Sequence, residues 1–279
     1  MFERACPPGA SGFSSRHAVA GVTVRFAGKT DIGRHRDLNE DAFLVLPDYR
    51  FMVVADGLGG HRSGQVASQL AVSTLHDFFV VTVRPDATWP FPYDEKRSDE
   101  ENYLATGIRL ANRRIFDRSL KTLADFGMGT TCVAAMFAPE ADEVAIANVG
   151  DSRSYRIRNH TLEQLTRDHS LVSDAIHVAP WMTPDEIAQL PPNVITRALG
   201  IREDVLIDVA RHKVVKGDAL LLCSDGLTGQ LSDAEILEII DAPSTRAPGG
   251  LEKAVEQLVD RTNELGGADN VTVVLALVD

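Results

Sequence analysis

Phe51-Met52-Val53-Val54-Ala55-Asp56-Gly57-Leu58-Gly59-Gly60-His61 joins an apolar run of strand composition to an acid, a glycine-rich stretch and a histidine. A Phe/Val/Met run that stops at a charge reads as a buried strand whose end leaves the core. The same construction returns downstream. Ala219-Leu220-Leu221-Leu222-Cys223-Ser224-Asp225-Gly226 ends another apolar run in Asp-Gly, and Asp269-Asn270 stands directly before the apolar run 271–277. Three strand ends therefore each deliver a carboxylate. Carboxylates gathered at one edge repel one another, and a cation among them makes the arrangement tolerable.

Working outward, short strand-like runs fall at 22–27, 42–46, 51–55, 131–137, 143–149, 152–157, 219–223 and 271–278, most of them bounded by Gly, Asp, Asn or Pro. Helical spacing of apolar residues marks 64–79 (Val66, Leu70, Leu75, Phe79) and 101–123 (Leu104, Ile108, Ile115, Leu120), with two more helices at 232–240 and 250–265. Ser232 followed three residues later by Glu235 is a capping-box signature. With no regular βαβ alternation, this order predicts an α+β fold with largely antiparallel sheets. The chain of 279 residues, 44% of them apolar, suits one sizeable domain over 22–279 behind a loose, flexible tail at 1–21. Segment 84–102 reads as an exposed excursion, and 168–202 as an irregular one with a short helix at 184–190.

Charge narrows the function. With 28 basic against 40 acidic residues the net charge is −12, and no Lys/Arg block offers a footprint for nucleic acid, so none is expected as a partner. Cys6, Cys132 and Cys223 are too few and too scattered for a disulfide framework. No run approaches the length of a membrane span and no signal peptide is evident, so a cytoplasmic protein without membrane attachment is expected.

Thr30-Asp31-Ile32-Gly33-Arg34-His35-Arg36-Asp37-Leu38-Asn39-Glu40-Asp41 is either a solvated turn or a site with Arg36 for an oxyanion and Glu40 or Asp41 for a metal. Asp56-Gly57 is either a hairpin turn or a metal ligand beside a backbone carbonyl, with His61 a turn residue or a proton donor. Asp151, after Gly150, has a tight turn as its rival reading; Asp225 and Asp269 have a turn and a helix cap. Repetition of the construction weakens the bland readings.

Together, T-D-x-G-x-x-R-x-x-N-E-D at 30–41, D-G-L-G-G-H at 56–61, G-T-T at 129–131, G-D-S-R at 150–153, S-D-G-L at 224–227 and D-N at 269–270 resemble the metal-dependent serine/threonine protein phosphatases of type 2C, the PPM family. The segment 193–200 is similar to the one closing the flap of bacterial members, which makes 168–202 the flap. The resemblance implies a four-layer αββα sandwich of two antiparallel sheets flanked by helix pairs. It implies hydrolysis of phosphoserine and phosphothreonine by a hydroxide bridging two Mn²⁺ or Mg²⁺ ions. Asp56 would bridge the ions, with Gly57 a carbonyl ligand and Asp225 and Asp269 further ligands. Glu40 and Asp41 would hold the second ion directly or through water. Arg36 would grip the phosphate, and His61 would protonate the leaving oxygen. Asp151 with Asp225 resembles the site of a third, weaker metal, although Gln189-Leu190-Pro191-Pro192 departs from the pattern bacterial relatives carry there. A cognate serine/threonine kinase and a monomeric state are further expectations. The rival readings are another two-metal phosphoester hydrolase and a non-catalytic phosphopeptide-binding scaffold on the same fold.

Overall fold

In the computed structural model, which describes residues 13–19, 22–59, 62–82, 89–139, 142–191 and 193–279, the decisive run becomes a strand buried on both faces. Cys6, His61 and Pro192 lie outside the described residues, as do 1–12 and 20–21 of the expected tail and 84–88 of the excursion. Strand β4 (Phe51–Leu58) sits in a sheet ordered β10 (Asp208–Lys213), β7 (Glu143–Val149), β6 (Cys132–Phe137), β4, β3 (Asp41–Leu46), with the short β5 (Gly129–Thr130) also paired to β4. The second sheet is ordered β1 (Phe13–Val19), β2 (Val22–Asp31), β12 (Val271–Val278), β11 (Ala219–Cys223), β8 (Arg153–Arg158), β9 (Thr161–Gln164). Every pairing in both sheets is antiparallel.

The two sheets face each other. Met52 and Val54 of β4 join Leu220, Leu222, Val274 and Ala276 in a core between them. The alternate residues Phe51, Val53 and Ala55 point outward and are covered by α1 (Ser63–Asp77) and α2 (Asp99–Lys121) through Leu75, Leu104, Ile108 and Ile115. On the opposite side Leu221, Cys223, Val273 and Leu275 are covered by α6 (Asp233–Ile240) and α7 (Gly250–Glu264) through Ile236, Leu258 and Val259. The architecture is the expected αββα sandwich. Burial on both faces explains why the central strands are continuously apolar rather than alternating.

Capping chemistry sets the helix starts: Ser98 with Glu101 opens α2, and Ser232 with Glu235 opens α6, each a reciprocal capping box. Thr183 and Glu186 do the same for α4 (Pro184–Ala188), whose Pro184 occupies the first turn.

Several expectations change. Residues 13–19 pair along the edge of β2 as β1, so the segment expected to be a loose tail contributes a strand from Phe13. β2 itself continues to Asp31, because β12 pairs with its whole second half. β9 and β10 lie at sheet edges with much of their surface in water, so they lack the apolar signal that marks central strands. The 168–202 segment carries a second helix, α3 (Leu171–Val178), capped by Ser170. Asp225 opens a one-turn helix, α5 (Asp225–Thr228), instead of a turn. The excursion is anchored: Trp89 stacks on Tyr103 with ring centroids 5.2 Å apart. Trp181, within the 168–202 segment, is 77% exposed. Among the described residues no helix is long and apolar enough to cross a membrane.

The junction of α5 with β12 is tight. A Cβ added to Gly226 would lie 1.9 Å from the Asn270 carbonyl oxygen. Gly226→Ala is expected to destabilise the fold by about 1–3 kcal/mol through overpacking, seen as a lower melting temperature in calorimetry; an unchanged melting temperature would show that this junction yields freely.

Candidate active site

The β3–β4 register sets Asp41 directly opposite Asp56, so the two acids share one face at the sheet end. β4 runs on past Asp56, with Gly57 paired to Thr130 of β5, which rules out the hairpin-turn reading of Asp56-Gly57. The Asp56 backbone is held at both ends: its carbonyl accepts from Thr131 N–H at 2.8 Å and from Thr130 Oγ1 at 2.9 Å, and its N–H donates to Thr131 Oγ1 at 2.9 Å. This is the structural task of Gly129-Thr130-Thr131. Thr131 Oγ1 also pairs with Ser152 Oγ at 2.7 Å, fastening the neighbour of Asp151 to the same strand.

The other sheet is bound in through Ser224, whose Oγ donates to Asp41 Oδ2 at 2.8 Å and accepts from Thr272 N–H at 3.0 Å. Asp225 follows Ser224, and Asp269 precedes β12, so both sheets deliver acids to one end of the sandwich.

Asn270 organises the Arg36 loop. Its Nδ2 donates to the carbonyls of Ile32 and Leu38, each at 2.9 Å, while its Oδ1 accepts from Glu40 N–H at 2.8 Å. The sequence reading assigned Asn270 no role of its own; an Asn beside an acid before a strand was the only signal. Arg36 donates through Nη2 to Asp269 Oδ2 at 2.7 Å, both side chains remaining partly in water. Glu40 faces the start of α1, where a Cβ added to Gly64 would fall 2.5 Å from Glu40 Oε1.

These acids are held in an unfavourable state. Burial is the largest cause in each case. It pushes Asp41 up to about 7, reinforced by the charges of Asp225 and Asp269 against hydrogen bonds from Thr272 and Ser224. It pushes Asp151 up to about 7 as well, with Asp225 adding to the effect. Asp56 lies well above the ordinary carboxylate range through burial and the charges of Asp41, Asp225 and Asp151, and Asp225 is raised by burial and by Asp269. Burial raises Glu40 against the pull of Arg36 and the amides of Gln65 and Gly64. Glu40 Oε1, Asp41 Oδ1 and Asp151 Oδ1 are buried without any hydrogen-bond partner.

Orphaned anionic oxygens in such a set fit hard divalent cations, which take oxygen ligands and repay the repulsion. Among the described residues no three such side chains are gathered tightly enough to hold a cation unaided, so carbonyls and water have to complete the shell. The thiols take no part: Cys132 and Cys223 are buried, and burial pushes both up to about 12.

Beside the acids lies a cavity of about 790 Å³ whose walls include Asp151, Arg153, Asp225, Val172, Ile176 and Pro180. α3 thus turns Val172 and Ile176 toward the acid cluster. Arg153 reaches across to Asp168, with Nη2 2.7 Å from Oδ2, tying β8 to the start of the 168–202 segment.

A family model described as protein phosphatase 2C matches residues 32–261, the span that contains every site acid except Asp269. The chain belongs to the protein phosphatase 2C family. It is 38% identical over 251 residues to the serine/threonine phosphatase stp of Listeria monocytogenes, covering 88% of this chain and 93% of that one. Among solved structures, the Mycobacterium tuberculosis serine/threonine phosphatase PstP/Ppp matches with a TM-score of 0.75 at 33% identity, over 91% of this chain and 97% of that one. A PstP catalytic domain in complex with two manganese ions matches with a TM-score of 0.75 at 32% identity, over 92% of this chain and 99% of that one.

For the metal-free protein the raised carboxyl pKa values have a direct consequence. The protonated acids suit the fold, so the stability they contribute is complete below their ordinary range near pH 4 and fades as pH climbs through about 7. Asp56→Asn, melted in chelator, is expected to exceed the parent's melting temperature at pH 8 and to lose that advantage by pH 4. A difference that does not change with pH would contradict this account of Asp56.

Proposed function

We propose that this chain hydrolyses phosphoserine and phosphothreonine in proteins, with divalent cations held by the acids at the Asp56 end of the sandwich. The observation that carries the reading is the buried, mutually repelling carboxyl set with orphaned oxygens, with Arg36 at its rim. Asp56, the Gly57 carbonyl, Asp225 and Asp269 would hold two Mn²⁺ or Mg²⁺ ions, with Glu40 and Asp41 serving the second directly or through water. Asp151 and Asp225 would hold a third, weaker one. When bound, such ions would supply a water of lowered pKa, nucleophilic near neutral pH, for attack on the phosphoryl group.

The chain's own residues do the rest. Arg36 is held beside Asp269 through the Asn270-braced loop, so its planar guanidinium is positioned to fork onto phosphate oxygens once Asp269 is engaged elsewhere. His61 follows the Asp56 strand in sequence and would donate a proton to the departing serine or threonine oxygen. The cavity beside Asp151 and Asp225 leaves room for polypeptide flanking the phosphorylated residue. The presence of Arg36 and all the acids argues against a non-catalytic scaffold. Residues 22–279 would form the catalytic domain, acting as a monomer in the cytoplasm opposite a serine/threonine kinase.

The decisive experiment measures Mn²⁺-dependent phosphate release from a phosphothreonine peptide, a nucleotide and single-stranded DNA; release from the peptide alone is expected. Asp225→Ala should bring turnover of p-nitrophenyl phosphate close to background, and parent-like turnover would refute the dinuclear reading. His61→Ala should slow phosphothreonine peptides by about 10²-fold or more while slowing p-nitrophenyl phosphate far less, since that leaving group scarcely needs a proton. Equal losses would remove His61 from the acid role.

A further inference from the structure

His169 is completely buried and has no part in the reaction just described. It grips Gly150 from two sides: its backbone N–H donates to the Gly150 carbonyl at 2.9 Å, and Gly150 N–H donates to the ring's Nδ1 at 3.0 Å. Gly150 adopts φ +111°, and an added Cβ would lie 2.6 Å from Thr131 Cβ, so this turn has no side chain of its own to steady it. The next residue is Asp151, whose Oδ1 is buried and unpartnered.

On its far side the imidazole meets the 168–202 segment and β10. Nε2 lies 3.1 Å from Asp208 Oδ2, and Arg197 donates to Asp208 Oδ1 at 2.8 Å. The His169 carbonyl accepts from Thr196 N–H at 2.8 Å, and the adjacent Ser170 bridges to Ile195. Because Nδ1 accepts the Gly150 proton, a neutral ring carries its own proton on Nε2, toward Asp208, with the Arg197 guanidinium also 3.2 Å from Nε2. Burial, aided by Arg197 and opposed by Asp208, lowers the His169 pKa and keeps the ring neutral, as this bonding requires.

We infer that His169 is a positioning residue, which locks the Gly150-Asp151 turn to both ends of the 168–202 segment and thereby aims the Asp151 carboxyl. The inference rests on reading Asp151 as an oxygen donor to a cation. Groups that orient a ligand from behind commonly change metal affinity by about 10–100-fold; here the hold passes through the peptide of the preceding residue.

Two substitutions of similar polarity separate this role from plain core filling. His169→Asn keeps an acceptor near the place of Nδ1, within reach of Gly150 N–H. His169→Gln extends toward Asp208 and leaves Gly150 N–H unmet. Mn²⁺ bound to the purified protein is titrated by electron paramagnetic resonance, alongside melting temperatures and protease cleavage within 178–190. His169→Gln is expected to weaken the weakest Mn²⁺ site by about tenfold or more and to open 178–190 to cleavage, with His169→Asn staying within about twofold of the parent. Equal behaviour of the two variants overturns the inference. Asp151→Ala supplies the reference. If it leaves Mn²⁺ binding untouched, the reading of Asp151 is wrong; if it removes the weak site while His169→Gln does not, His169 alone is wrongly assigned. Should neither His169 variant fold, Asp208→Ala at its half-exposed position is titrated instead, and unchanged weak-site affinity overturns the inference.

Discussion

Repulsion between carboxylates fixed side by side is the constraint on which the rest of this structure depends. Asp41 and Asp56 are partners across two adjacent strands, and like charges in that arrangement oppose pairing. The fold tolerates them because small hydroxyls and the backbone fix what surrounds them: Thr130 and Thr131 grip the Asp56 backbone, Ser224 Oγ grips the Asp41 carboxyl, and the β3–β4 ladder runs through both positions. Stability is therefore generated in the three apolar layers and spent at one end, where the acids stay together despite themselves.

Polar brackets of small residues recur around that end, and each connects elements distant in sequence. Asn270 closes the loop 32–38 from beside β12, Ser224 bridges β11, β12 and β3, and Thr131 joins β4 to the residue after Asp151. None of them carries charge. Their value is geometric: hydroxyl and carboxamide groups fix backbone without adding to an already unfavourable field.

This division explains what could be read from the sequence. The central strands and amphipathic helices were visible because burial dictates their composition: β4, β11 and β12 are apolar on both faces, and α1, α2, α6 and α7 carry apolar stripes. The acids were visible because Asp56, Asp225 and Asp269 sit where an apolar run gives way to a charge. β9, β10 and β1 were hidden because edge strands answer to backbone pairing more than to side-chain burial. α3 was hidden because none of its residues is fully buried. Asn270 and His169 act through hydrogen bonds to main-chain groups of remote segments, and nothing in local composition announces such partners.

Chain order adds one consequence. The acids at positions 41, 56, 151, 225 and 269 come from segments spread over most of the sequence. β12, which follows every other described strand in the sequence, lies between β2 and β11 rather than at an edge. A growing polypeptide on the ribosome can therefore neither complete the second sheet nor brace the Arg36 loop with Asp269 and Asn270 until translation has passed β12. On the proposed function, activity would be withheld from every nascent fragment that has not yet reached β12, and so would any action on substrates during most of the domain's own synthesis.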